Sequence, residues 1–532
     1  MHGRNHLVGN RESLGVSARK WSADRIGKSQ DVTPMTNAPR QSDRFIVPTN
    51  RANKAGSPAA EGEEGRERTK GNSPEQGAPR TQCRSRVSPA LERVRQVAER
   101  DPRQRFTALL HHVYDVNRLR AAYLALKRSA AAGVDGETWQ HYGGQLETNL
   151  RSLSDRLRRG AYRVHPVRRA YIPKTDGRLR PLGVPTLEDK IVQRAVVEVL
   201  TAIYEPMFLG FSYGFRPGRS PHQAVDALMV GIHQRKVNWV LDADIQGFFD
   251  TLTHEWLIRF VEHRIGDRRI VRLIQQWLNA GVLEDGRWTP GEMGTVQGGS
   301  ISPLLANLYL HYVFDLWIQR WRRTRARGDV IVVRFADDFV VGFQQRTDAE
   351  QFLADLRERF ARFGLTLHPD KTRVLEFGRF ASSDRRARGE GKPQTFNFLG
   401  FTHCCARTRG GKFLVLRQTM RRRAQAKLAA VTIELRRRLH DPIPEVGAYL
   451  GAVVRGHLQY YGVPNNLPAL KAFHMAITRV WRRVLAQRSQ TARVSWARMR
   501  RLIARWLPPV RVCHPFPFAR FAVMTQGGSR MR

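Results

Sequence analysis

Three scarcities bound this 532-residue chain before any motif is read. Its four cysteines (Cys83, Cys404, Cys405, Cys513) are too few and too badly spaced for a disulfide framework, which suits a reducing cytoplasm. His403-Cys404-Cys405 invites a zinc reading, but adjacent cysteines lack chelate spacing and no second pair exists; a buried strand end is expected. Long apolar runs are missing too: nothing nears the roughly 18 residues that span a bilayer, and no signal-peptide core is present, so no membrane partner is expected. Acidic residues are outnumbered, with 47 Asp and Glu against 90 Lys and Arg, a formal net charge of +43. An excess that large repels itself in a compact state and favours a polyanionic partner. With 41% hydrophobic residues and 11 Trp, the chain is no histone-like tail but a folded protein that holds nucleic acid.

Residues 1–88 are rich in Gly, Ser, Pro, Arg and Glu and cannot bury enough apolar surface to offset their ordering entropy, so disorder is expected there. Glu12 and Asp24 argue against a transit peptide. Helical periodicity begins near Pro89, with Leu109, Leu110, Val113, Val116, Leu119 and Tyr123 at three-to-four spacing. Gly133 to Gly136 breaks it as a turn, and a further helix runs through Leu146, Leu150, Leu153 and Leu157. Arg168 to Val184 reads as a hairpin turning at Thr175-Asp176-Gly177, which clusters Lys174, Arg178 and Arg180. A basic hairpin can close over a triphosphate. An apolar helix, Ile191 to Tyr204, precedes the loop Ser212 to Ser220, whose mixture of aromatic and basic residues suits stacking on bases and pairing with phosphates. From about Thr419 amphipathic basic helices follow; Arg421-Arg422-Arg423, Arg436-Arg437-Arg438 and Trp481-Arg482-Arg483 imply a polyanion track.

The chemistry centres on Val330 to Phe343, VIVVRFADDFVVGF, two apolar runs around a polar tip that read as a β-hairpin. Adjacent carboxylates at Asp337 and Asp338 repel each other unless hard divalent cations sit against them. In Val237 to Ile245, strand alternation sets Val240, Asp242 and Asp244 on one face. A strand carrying an acid toward the acidic tip gives a three-carboxylate site of the kind that holds two Mg²⁺ ions for phosphoryl transfer. Gly294 to Pro303 is a glycine-rich loop opening into a helix, Leu304 to Phe314; no Lys follows the glycines, so it is no Walker loop, and its glycines permit close backbone approach. Thr395 to Thr402 reads as one strand.

These segments together resemble the bacterial group II intron-encoded reverse transcriptase/maturases over about residues 90 to 505. The motifs stand in family order: GVDG (133–136), IPKTDGRLRPLGVPT (172–186), SYGFRPGRS (212–220), DADIQGFFD (242–250), GTVQGGSISPLLAN (294–307), FADD (335–338), GLTLHPDKT (364–372) and FNFLGF (396–401), with RGHLQYYG (455–462) in a thumb-like segment. The resemblance implies an α+β right-hand polymerase: fingers over 89–235, a palm with an antiparallel sheet over 236–410, an α-helical thumb/maturase domain over 415–505 and a short basic DNA-binding tail over 506–532. It implies that Asp244, Asp337 and Asp338 are the catalytic metal-binding aspartates, with the Ile245 carbonyl as a further ligand of two Mg²⁺ ions and Asp242 in support. Lys174 and Arg180 would grip the triphosphate, Phe249 would reject a 2′-hydroxyl, and Gln297-Gly298 would lie beneath the nascent base pair. Lys371 matches a lysine proposed to protonate pyrophosphate; a structural salt bridge is its alternative. Arg216, Arg219 and Arg421 to Arg423 are the expected RNA contacts. The implied partners are intron RNA, a DNA target or primer, and dNTPs, in the cytoplasm. Phe335 stands where the commoner family motif has Tyr. After the thumb-like segment His514 stands alone, so no HNH-type cutting is expected and insertion primed at a replication fork is. A domesticated reverse transcriptase, or a maturase that only assists splicing, is the alternative.

Overall fold

The computed structural model describes residues 89–173, 179–284, 286–291, 294–295, 298–488 and 494–520; the segment 1–88 expected to be disordered lies outside them. Among the described residues the strands are β1 (Val167–Pro173), β2 (Leu179–Val184), β3 (Trp239–Ala243), β4 (Val282–Glu284), β5 (Arg287–Thr289), β6 (Val330–Phe335), β7 (Asp338–Phe343), β8 (Arg373–Glu376), β9 (Phe396–Phe398), β10 (Phe401–Arg407) and β11 (Phe413–Thr419). They form three sheets, ordered β2-β1-β4-β5, β6-β7-β3-β8 and β11-β10-β9.

The second sheet carries the acids. Its strands pair antiparallel throughout, and its near-continuous Val, Ile and Phe runs follow from burial on both faces. On one face Leu241, Val332, Phe339, Val341 and Phe343 join a large core with the helices Leu187–Tyr204, Ser302–Leu310 and Arg346–Ala361. On the other, Val240, Ile331, Val333 and Val340 pack with the helix Pro221–Gln234 and the β9–β11 sheet. That helix begins with a full capping box, Ser220 and Gln223 satisfying each other's backbone amides, and Pro221 sits in its first turn. The helix after the glycine-rich loop runs further than the apolar pattern indicated. Ser302–Leu310 passes through one turn of π-helix, His311–Asp315, into Leu316–Thr324.

Helices Arg421–Arg437, Ile443–Tyr461, Leu467–Ala486 and Trp496–Trp506 enclose a third core around Leu435, Val454, Ile477 and Trp481. The chain beyond them folds back. Cys513 and His514 donate backbone hydrogen bonds to the Gly462 carbonyl. The His514 ring stacks on His222 at 3.8 Å, and Phe518 packs edge-on against His233. The described part of the expected tail, up to Arg520, thus ties the C-terminal helices to the helix Pro221–Gln234. The expected single strand Thr395 to Thr402 is instead a hairpin, because Leu399 (φ +48°) and Gly400 (φ +83°) turn the chain between β9 and β10. His403 is a buried residue of β10, stacked 4.7 Å from Phe396. Among the described residues no helix is long and apolar enough to cross a membrane.

Candidate active site

The β6–β7 hairpin closes through Phe335 paired with Asp338, leaving Ala336 and Asp337 as a two-residue tip. Ala336 has φ +57° and Asp337 does not share the sign, the pattern of a type II′ turn, whose first tip residue is ordinarily glycine. Alanine there stores about 1–3 kcal/mol of backbone strain. In the β3–β7 register Ala243 faces Phe339, so the next step sets Asp244 beside Asp338. The His368 amide donates to the Asp244 carbonyl at 2.8 Å, and an isolated bridge between Ile245 and Leu367 secures the chain just past the strand.

The electrostatics bear the marks of crowded acids. Burial pushes the Asp338 carboxyl up to about 8, and the neighbouring Asp337, Asp242 and Asp244 push the same way. Asp337 is raised by burial and by Asp244, while the Arg180 guanidinium opposes the shift. Asp242 rises to about 6, chiefly through burial, although Arg373 lies 3.5 Å away. Hard carboxylate oxygens in this number suit Mg²⁺. Yet among the described residues no three His, Cys, Asp or Glu side chains are already gathered around one point. Asp244 Oδ2 takes a 2.5 Å ion pair from Lys371 Nζ. Lys371 therefore stands where a cation would. Lys371→Met is expected to lower the Mg²⁺ concentration giving half-maximal activity if it only neutralises Asp244, and to lower kcat at saturating Mg²⁺ if it delivers a proton; a Mg²⁺ titration of both proteins separates the two.

Beneath the turn lies a residue that the motif reading passed over. Arg334 is fully buried. Its Nε and Nη2 donate to the Asp315 carboxylate at 2.7 and 2.5 Å. Nη2 also reaches Ser212 Oγ at 2.7 Å, and Nη1 reaches Asn307 Oδ1 at 3.0 Å and the Ala336 carbonyl at 2.9 Å. The last bond holds the strained turn directly. Asp315 ends the π-helical turn, and Asn307 Nδ2 donates to the Gly214 carbonyl at 2.6 Å. Gly214 lies so close that a Cβ would collide with the Ala336 amide. An Arg inside the apolar run before the acidic tip, and an Asp in the helix after the glycine-rich loop, were the available sequence signal.

The nucleotide-binding expectations divide. Lys174 and Gln297 lie outside the described residues. Arg180 is exposed on β2, with its charge felt at Asp337. Phe249 is half-buried, and its carbonyl accepts the Thr295 amide at 2.7 Å, which ties its helix to the glycine-rich loop. Gly298, at φ +123°, comes so near the Gly183 carbonyl that a side chain would collide with it. The RNA-binding expectations need correction at Arg216. It is buried, with Nη2 2.8 Å from Glu205 Oε1 and Nη1 2.7 Å from the carbonyls of Leu209 and Ser212. A guanidinium satisfies an interior carboxylate and several carbonyls better than any other side chain, and the loop turns it inward for that purpose. Arg219 is half-buried over the Tyr213 ring. Arg421, Arg422 and Arg423 are exposed.

Residues 172–403 match the reverse transcriptase (RNA-dependent DNA polymerase) family. Protein YkfC of Escherichia coli (strain K12) is 36% identical over 275 residues, 46% of this chain and 72% of its own. The group II intron-encoded protein LtrA of Lactococcus lactis subsp. cremoris is 36% identical over 222 residues, 42% of this chain and 37% of LtrA. The uncharacterized 91 kDa protein in the cob intron of Schizosaccharomyces pombe is 30% identical over 304 residues, 48% of this chain and 37% of that protein. The chain thus matches little more than a third of the length of these two intron-encoded relatives. Acids set side by side on adjacent strands, a polymerase-family match across them and intron-encoded relatives agree: the chain belongs to the reverse transcriptases, among the group II intron-encoded reverse transcriptase/maturases.

Proposed function

We propose that this chain extends a DNA primer on an RNA template from dNTPs, and that it also binds its intron RNA as a maturase, in the bacterial cytoplasm. The β3–β7 register, which sets Asp244 beside the Asp337-Asp338 turn, carries the first half. The right-hand reading assigns 89–235 to fingers, 236–410 to palm and 415–505 to thumb. Two Mg²⁺ ions held by Asp244, Asp337, Asp338 and the Ile245 carbonyl would lower the pKa of the attacking 3′-hydroxyl and neutralise the leaving pyrophosphate.

The residues themselves do the positioning. Arg334 holds the turn that aims Asp337. Arg180, whose charge is felt at Asp337, would meet a triphosphate there, the role that the family resemblance also gives Lys174. Phe249, fixed through its carbonyl by Thr295, is the ring against which a ribose 2′-hydroxyl would clash. Phe249→Val is therefore expected to raise ribonucleotide incorporation at least roughly tenfold relative to dNTPs, the scale of removing a small steric block; competition between rNTP and dNTP in single-turnover extension reads it, and unchanged discrimination would move the gate elsewhere. The primary test is extension of a DNA primer on an RNA template with and without Mg²⁺. Mg²⁺-dependent elongation supports the proposal, and none, with primer–template bound, contradicts it.

The maturase half rests on Arg421, Arg422 and Arg423, exposed in the first turn of the helix Arg421–Arg437, a turn that carries no acidic residue of its own. Cations there oppose the helix dipole, so a phosphate backbone is what makes the arrangement favourable. Charge reversal of the three is expected to weaken RNA binding at low salt and to flatten the plot of log affinity against log salt by about two to three ions. An unchanged slope would remove this helix from the RNA track.

A further inference from the structure

The loop Ser212 to Ser220 has the right composition for nucleic acid, but the fold exchanges the roles of its residues. Tyr213 and Arg216 are buried, whereas Phe215 is 59% exposed. Phe215 also has φ +56°, a left-handed backbone that bulky residues rarely adopt. An apolar ring held outward at a cost in backbone strain is not explained by packing.

Its position is fixed relative to the chemistry. The preceding residue, Gly214, lies flush against the Ala336 amide, and the Tyr213 amide donates to the Arg334 carbonyl at 2.8 Å. The Phe215 ring stands 6.3 Å from that of Phe335, tilted by 45°. The two rings thus border the turn that carries Asp337. An exposed aromatic face beside a site for 3′-end chemistry has no use for phosphate, which Arg180 serves; it fits a flat apolar surface. The flat surfaces that a polymerase brings to this point are nucleobases, which stack on aromatic side chains without regard to sequence.

We infer that Phe215 is a base-stacking residue for the primer–template next to the reaction centre, with Phe335 beside it. This rests on the polymerase reading, and its test separates the two. Dissociation of the primer–template is compared for the wild type, Phe215→Ala, Phe215→Trp and Phe215→Gly, on intact duplex and on duplexes with one abasic site at the terminal or penultimate position of either strand. On intact duplex Phe215→Ala dissociates roughly tenfold faster, within the range for a lost base–aromatic stack, and Phe215→Trp stays near wild type. One abasic position, whose strand identifies the stacked base, abolishes the difference between wild type and Phe215→Ala. Phe215→Gly relieves the left-handed strain, so it binds as weakly as Phe215→Ala while its Tm rises; a purely structural Phe215 would lower both. Equal dissociation of wild type and Phe215→Ala on intact duplex overturns the inference, as does a deficit that persists at every abasic position. Wild-type extension of the intact primer is scored separately and judges the polymerase reading alone.

Discussion

Asp338→Asn is expected to abolish nucleotide incorporation and at the same time to stabilise the metal-free protein. The loss of activity expected is at least roughly 10³-fold, because the proposed role of Asp338, holding a catalytic cation, would supply several kcal/mol of charge stabilisation in the transition state. The gain in stability has its origin in the shift to about 8. Unfolded, the Asp338 carboxyl ionises near 4; folded, it holds its proton far longer. The folded state therefore binds more protons across that window, so metal-free stability is full below about pH 4 and falls as pH rises toward 8. Asparagine carries no such charge, and the variant should gain on the order of a few kcal/mol at pH 8 and little at pH 4. Denaturant titrations in EDTA at both pH values check this, with Mg²⁺ expected to raise the wild type and not the variant. A variant less stable than wild type at pH 8 would mean that Asp338 is not a confined charge.

Arg334→Met should be strongly destabilising. It leaves Asp315 buried without its guanidinium partner and frees the Ala336 carbonyl. Breaking a buried pair from one side costs about 3–5 kcal/mol. The pairing of Arg334→Met with Asp315→Leu removes both charges and should recover part of that stability, since apolar replacements of buried ion pairs are often neutral, while Asn307 Oδ1 and the Ala336 carbonyl still lose their donor. Activity should not return, because no donor remains to hold the type II′ turn. Urea unfolding and primer extension of the single and double variants decide it. Recovery of activity together with stability would reduce Arg334 to a packing role.

Much of the fold was legible because its signals were local. The stretch Val330 to Phe343 read as a hairpin and folds as one, β6 and β7, and Leu179 to Val184 matched β2 from end to end. The helix Leu187–Tyr204 was read from Ile191, since the capping Thr186 that starts it four residues earlier was passed over. What escaped depended on backbone or partners distant in sequence. Nothing in FNFLGF marked Leu399 for a left-handed turn, so two strands read as one. Arg216 looked like a phosphate contact because its partners, Glu205 and the carbonyls of Leu209 and Ser212, are brought to it only when the chain folds. Arg334 lay inside a strand pattern that accounted for its neighbours, and only the π-helical turn ending at Asp315 discloses why a charge belongs there. Asp244 beside Asp338 was the expectation that alternation and motif order both supported, whereas its ion pair with Lys371 was one of two readings left open.

Anomalous scattering from Mn²⁺, collected on crystals of the chain with RNA template, DNA primer and a non-hydrolysable dNTP analogue, tests the account most directly. Two peaks should lie against the carboxylates of Asp244, Asp337 and Asp338, with Lys371 Nζ displaced from Asp244. Metal bound elsewhere, or Asp244 still paired with Lys371 and contributing no oxygen to either ion, would contradict it.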